Sequence, residues 1–161
     1  LAISIHPALV ALSRASRELV HLGVLSGDRV LYVDKVEPER AIRVWSAVGQ
    51  LVPVASSSLG RALLAARNVP EAHLGSYLID LPPGRAVTSS RLQQAVQDAR
   101  TLGYALELGE NEPDVACIGT AILRGGRPVA ALSITALAVR MTPERMPSTD
   151  SSFSREMSSM L

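Results

Sequence analysis

Residues 115–135, VACIGTAILRGGRPVAALSIT, decide the fold. Two runs of small and branched apolar residues flank Gly125-Gly126, and a glycine pair between such runs signals a β-hairpin. Alternation sets Val115, Cys117 and Gly119 on one face of the first strand and Ala116, Ile118 and Thr120 on the other. Upstream, YALELGE (104–110) reads as a short strand entering the acidic loop GENEPD (109–114). Before it, RLQQAVQDARTLG (91–103) carries Leu92, Ala95, Val96, Ala99 and Leu102 on one helical stripe. Ser89 or Ser90 is the expected cap of that helix and Gly103 its C-terminal stop.

The N-terminal half repeats these materials. VHLGVLSGDRVLYVDKV (20–36) is a second hairpin turning at Ser26-Gly27-Asp28. AIRVWSAVG (41–49) alternates Ile42, Val44, Ser46 and Val48 against Arg43, Trp45 and Ala47, which predicts a third strand. Helices are expected over Pro7–Leu19, from Leu59 to Arg67, and briefly from Pro70 toward Leu78. Thr142 and Pro143 suit the start of a last helix, and the serine-rich tail after residue 147 is either its continuation or frayed. Hairpins grouped between helices, without βαβ alternation, imply an α+β class: an antiparallel sheet with helices packed on it.

Composition narrows the function. A length of 161 residues suits one domain with its own core. The formal net charge is +1, and the 16 basic residues are scattered, all but Lys35 being arginine, so no basic field for nucleic acid is built. Aromatics at 3% remove the stacking platforms of single-strand binders. No apolar run approaches the ~20 residues of a membrane span, and no signal peptide is visible at the N-terminus, so a cytoplasmic location is the expectation. With one cysteine and three dispersed histidines, neither a disulfide nor a metal site is expected, nor any cofactor. His6, His21 and His73 share no spacing and read as structural. The opening on a helical pattern without Met suggests a piece of a longer chain.

Three serines, Ser56 to Ser58, precede the helix at Leu59. One of them suffices to cap a helix, a contribution of about 1 kcal/mol. The rest sit at the positive end of the helix dipole, a natural seat for a carboxylate. A nucleophile is the third reading, although SSSLG is not the G-x-S-x-G elbow. Cys117 reads either as an inert core thiol or as one wall of a ligand pocket. In the acidic loop the spacing of Glu107, Glu110, Glu112 and Asp114 is not that of a calcium loop, and Glu107, at a strand position, is the member set to point inward. Ser133 and Thr135 share a strand face, where their hydroxyls bond either backbone or a small polar ligand.

Taken together, GDRVLYVDKVEPERAIRVWSAVGQLVPVASSSLGRALLA (27–65), ARTLGYALELGENEPDVACIGTAILRGGRPVAALSIT (99–135) and RMTPER (140–145) resemble the C-terminal effector-binding domain of IclR-type bacterial transcriptional regulators. The resemblance runs from about Leu9 to Arg145. It implies a GAF-like domain over residues 1–147 that binds a small organic effector, often a carboxylate or aromatic acid, with residues 148–161 a polar tail. It also implies a homodimer or homotetramer that reaches DNA only through an N-terminal winged helix-turn-helix domain absent from this chain. Carried over by position, the family's pocket falls on Val44, Ser57, Ser58, the backbone of Leu59, Glu107, Val115, Cys117 and Ser133. The chain departs from the family at Arg61, where Lys is usual, at Gly109-Glu110, at Asp114, where Gly is usual, and at Gly119-Thr120. The expected function is therefore effector sensing and oligomerisation without enzymatic activity. Two readings compete with it: a small hydrolase using Ser57 or Cys117, and a dimerisation module without a ligand.

Overall fold

The computed structural model describes residues 2–85, 87–142 and 144–145. Six strands form a single sheet: β1 (Leu19–Ser26), β2 (Arg29–Val36), β3 (Leu51–Pro53), β4 (Ala105–Leu108), β5 (Val115–Arg124) and β6 (Arg127–Leu137). Their order is β3-β2-β1-β6-β5-β4, and every pairing is antiparallel. Both hairpins fall where the turn residues place them, at Gly27 and at Gly125-Gly126, and the outer hairpins meet where β1 pairs with β6. The helices are α1 (Ala2–Ser16), α2 (Ser58–Ala66) and α3 (Ser89–Leu102), with a 3-10 segment over Glu71–Leu78.

The sheet is sandwiched. Ile5, Leu9 and Leu12 of α1 cover Val20, Leu22, Ile118, Ile122, Leu132 and Ile134 on one face. On the other, Leu59 and Leu63 of α2 and Leu92 and Val96 of α3 pack with Val30, Tyr32, Ala105 and Ala131. Each fully buried Leu or Ile is worth about 1.5–3 kcal/mol, so these two clusters hold the layers together.

Three expectations need correction. Residues 41–49 form no strand: Ile42 is 72% exposed and Trp45 79%, and the segment loops outward while the edge of β2 pairs with Leu51–Pro53. Alternation alone cannot make a strand when another segment takes its hydrogen-bonding edge. The first helix starts at Ala2 and stops at Ser16, so Pro7 lies inside it at the loss of one backbone bond. Arg17, at φ 58°, turns the chain into β1, which begins at Leu19. Thr88, not Ser89 or Ser90, caps α3, its hydroxyl accepting the Arg91 N–H. After β6 the described residues include a 3-10 turn over Ala138–Arg140; the helix expected from Thr142 and Pro143 and the tail over 148–161 fall largely outside the described residues.

Candidate functional site

α2 begins on top of the sheet. Ser57 is its cap, with extended backbone, and its Oγ accepts the Gly60 N–H at 3.1 Å. Gly60 fits because a Cβ there would lie 2.2 Å from the Val54 carbonyl oxygen, so the helix's first turn grazes the chain leading into it. Ser58 rests on β5: a Cβ on Gly119 would lie 2.9 Å from the Ser58 carbonyl carbon and 3.0 Å from its Oγ. Ser56, Ser57 and Ser58 are all buried. The cap accounts for Ser57, as the simplest reading of the triplet requires. The other two serines lie in the wall where the positive end of the helix meets the sheet.

The register then gathers polar side chains beside that helix start. Glu107 pairs with Cys117, Cys117 with Thr135, and Ser133 with both Gly119 and His21. Cys117 Sγ and Thr135 Oγ1 are 3.3 Å apart, Thr135 Oγ1 and His21 Nδ1 3.4 Å, and His21 Nε2 and Ser46 Oγ 2.8 Å. The His21 ring stacks on Tyr32, centroids 4.2 Å apart. A hydrogen-bonded path thus runs from Cys117 to the loop between β2 and β3. Lys35 Nζ donates to the Ser46 carbonyl and Arg40 Nε to the Arg17 carbonyl, and both bonds hold that loop in place.

Burial sets the protonation of these groups. It pushes the Cys117 thiol up to about 12, reinforced by the Glu107 charge, so the sulfur is a thiol rather than a nucleophilic thiolate. Burial and the Lys35 charge pull His21 down to about 4, leaving it neutral. Burial raises Glu107 to about 7, although hydrogen bonds from the Glu110 and Asn111 backbones and the Arg61 charge act the other way. Glu107 is wholly buried, and while its Oε2 accepts the Glu110 N–H at 3.0 Å, its Oε1 has no hydrogen-bond partner among the described residues. An unmatched buried acceptor costs about 1–3 kcal/mol, the mark of a place where something else donates.

A set of arginines clamps the acidic loop over this corner. Arg61 is buried and bonds both Glu110 oxygens, while Arg91 reaches Glu110 from α3. Arg85 donates to the Asn111 carbonyl and to Glu112, and Ser56 Oγ lies 3.5 Å from Asn111 Oδ1. Burial lifts the Glu110 carboxyl, but the hydrogen bonds and charges of Arg61 and Arg91 outweigh it and hold it below the ordinary carboxylate value. Asp114 has φ 62°, so this turn takes a left-handed backbone at a non-glycine residue.

Of the expected contacts, Ser58, Glu107, Cys117 and Ser133 come together on this face through the register and the close approach at Gly119. Ser57 is occupied as the cap, and Leu59 sends its side chain into the core, leaving only its backbone. Val115 lies farther along the same face, opposite Leu137. Val44 lies in a loop instead of a strand, half-buried in a crevice shared with Leu19, Thr135 and Arg140. Sequence reading passed over His21, Tyr32 and Ser46. A histidine inside an apolar strand needs a partner for each ring nitrogen, and that need was the available signal. A groove of about 780 Å³ lies elsewhere, between Ser4 and Ile5 of α1, Ala65 of α2, Tyr104, and Ile122 and Arg124 of β5.

Neither of the two candidate nucleophiles is armed. Neither Ser57 nor Cys117 is hydrogen-bonded to a histidine among the described residues, and His21 is committed to Ser46 and Thr135. What remains is an antiparallel α+β domain with a buried polar corner at a helix start. Its family follows from comparison: residues 1–154 match the family described as bacterial transcriptional regulator IclR C-terminal, and the chain belongs to it. It is 32% identical over 139 residues to the HTH-type transcriptional regulator XynR of Escherichia coli, covering 83% of this chain and 54% of that protein. The crystal structure of the Thermotoga maritima IclR superposes with a TM-score of 0.78 at 31% identity, over 99% of this chain and 63% of that one. An IclR homolog from Microbacterium hydrocarbonoxydans, complexed with 4-hydroxybenzoate, superposes with a TM-score of 0.81 at 23% identity, over 99% of this chain and 65% of that one. The chain spans about half the length of the curated relatives it matches. Those relatives are transcriptional regulators, not enzymes. Among the described residues, no helix is long and apolar enough to cross a membrane.

Proposed function

We propose that residues 1–147 are the effector-sensing and oligomerisation domain of a cytoplasmic transcriptional regulator, and that the effector is a small carboxylic acid, aromatic or otherwise. The single observation that carries this is the buried, unmatched Glu107 Oε1 on the face where the α2 start meets β5. The acid's carboxylate takes backbone N–H groups at Ser58 and Leu59, and its polar far end donates to Glu107 with Ser133 alongside. Cys117 and Val115 supply the apolar wall, and Val44 closes the loop side. The 4-hydroxybenzoate held by the Microbacterium relative supports an acid of this kind. In the whole protein a winged helix-turn-helix domain contacts DNA, and the effector acts by the difference in its affinity for two states of a dimer or tetramer.

The test is thermal shift and calorimetry of the domain against small carboxylic acids. At a hundred times Kd a true ligand stabilises by about 2.7 kcal/mol. Ser58→Glu, which sets a like charge at the carboxylate seat, abolishes the response. Binding that survives this substitution unchanged places the ligand elsewhere, and no response from any acid favours the ligand-free dimerisation module.

A further inference from the structure

Arg61 is the largest fully buried side chain among the described residues, and its bonds run to both walls of the corner. Nε donates to the Ala55 carbonyl at 2.9 Å, at the entrance of the serine loop. Nη1 donates to the Leu106 carbonyl at 2.9 Å, the peptide just before Glu107. Nη1 and Nη2 reach Glu110 Oε1 and Oε2 at 3.0 and 2.6 Å. The Glu110 backbone in turn donates to Glu107 Oε2. A planar, forked guanidinium can bridge two carbonyls and a carboxylate at once, as an ammonium cannot.

The pairing has an electrostatic result. Glu110, held also by the half-exposed Arg91, takes the Arg61 charge, so among the described residues Glu107 bonds to no cation. The charged and titratable groups acting on Glu107 are Arg61 from α2, Glu110 from its own loop, Cys117 from β5 and Tyr32 from β2, with Arg85 and Glu112 acting on Tyr32. Of these only Arg61 could neutralise Glu107 directly, and it is engaged.

Building on the carboxylate-seat reading, we propose that the Arg61–Glu110 pair is the positioning element that selects the effector. By keeping Arg61 off Glu107, it leaves the Glu107 carboxyl open to a neutral hydroxyl or N–H at the far end of a monocarboxylic acid. A dicarboxylic acid would bring a second negative charge against Glu107 and is selected against once Glu107 ionises. Arg61 touches no ligand; it acts through Glu107 and through the serine loop.

Glu110→Gln tests this. The amide still accepts hydrogen bonds but returns the Arg61 charge, and the guanidinium then pairs with Glu107. Carboxyl-carbon NMR of Glu107 in the intact domain, without ligand, should show its titration midpoint falling by about two pH units, a hundredfold change in acidity. Loss of the Glu110 charge by itself also lowers that midpoint, so the same titration is run with Arg61→Gln added. Without the guanidinium the midpoint should return toward the wild-type value. A midpoint that stays unmoved in Glu110→Gln, or falls equally in both variants, overturns the proposal. A second measurement needs no substitution. In the wild-type domain, terephthalate affinity relative to 4-hydroxybenzoate should fall nearly tenfold per pH unit above 7, because only protonated Glu107 tolerates the second carboxylate. A ratio that stays flat from pH 6 to 8.5 overturns the proposed selection. If neither acid binds while the Glu107 midpoint still moves, the carboxylate seat has failed and the Arg61–Glu110 positioning stands.

Discussion

Replacing Glu107 with Gln should change how the stability of the domain depends on pH. In the fold, burial holds the Glu107 carboxyl near 7, against 4.5 in its unperturbed state. A folded-state value above the unfolded one means that stability is complete below pH 4.5, declines as pH rises, and has lost the whole increment once pH passes 7. A rise of that size corresponds to about 3 kcal/mol, most of which falls between pH 5 and pH 8. For a domain of this size that is a drop of about 5–10 °C in Tm. The Gln variant carries no ionisable group there and should lack this component, so the two melting curves diverge as pH is lowered from 8 to 5. Melts followed by circular dichroism at half-unit steps measure it. If wild type and variant differ only by a constant offset across the range, Glu107 does not ionise against a buried environment and the reasoning fails.

Three further outcomes rest on single contacts. Gly119→Ala inserts a Cβ 2.9 Å from the Ser58 backbone, where neither strand nor helix can yield cheaply, and should cost about 1–3 kcal/mol by chemical denaturation together with any acid binding. Asp114→Gly relieves a left-handed backbone at φ 62° and should raise stability by up to about 1 kcal/mol in the same assay. Ser57→Ala removes the cap of α2 and should cost about 1 kcal/mol, whereas the same change at Ser56, whose hydroxyl makes one contact at 3.5 Å, should cost clearly less.

The hairpins were legible because their turns are local: Ser26-Gly27-Asp28 and Gly125-Gly126 need only their neighbours to form. The α3 stripe and its Gly103 stop were legible for the same reason, with Gly103 closing the helix in the left-handed conformation. The strand expected over 41–49 failed because alternation says nothing about which segment wins the free edge of β2. There the Gly49 N–H donates to Tyr32, Tyr32 donates to Gln50, and Leu51–Pro53 completes the pairing. Long-range electrostatics was illegible. Glu18, inside the helix expected over Pro7–Leu19, is buried beyond α1 and gathers Arg40, Arg140 and Arg145 from segments up to 127 positions away. Burial lifts its carboxyl, and the bonds from Arg140 and Arg145 more than offset that, so it stays ionised. Within the site, the serine loop and Cys117 were visible as chemistry. Their meeting depends on the missing Cβ of Gly119, which the sequence showed only as a departure at Gly119-Thr120.

On the proposed reading a carboxylic acid binds where α2 starts on β5, beneath Glu107, and amide shift mapping during titration with the tightest-binding acid locates it. The largest shifts should fall on Ser57 to Gly60, Glu107, Cys117 and Ser133. Shifts confined instead to Ser4, Ala65, Tyr104 and Arg124, around the groove between α1 and β5, would contradict it.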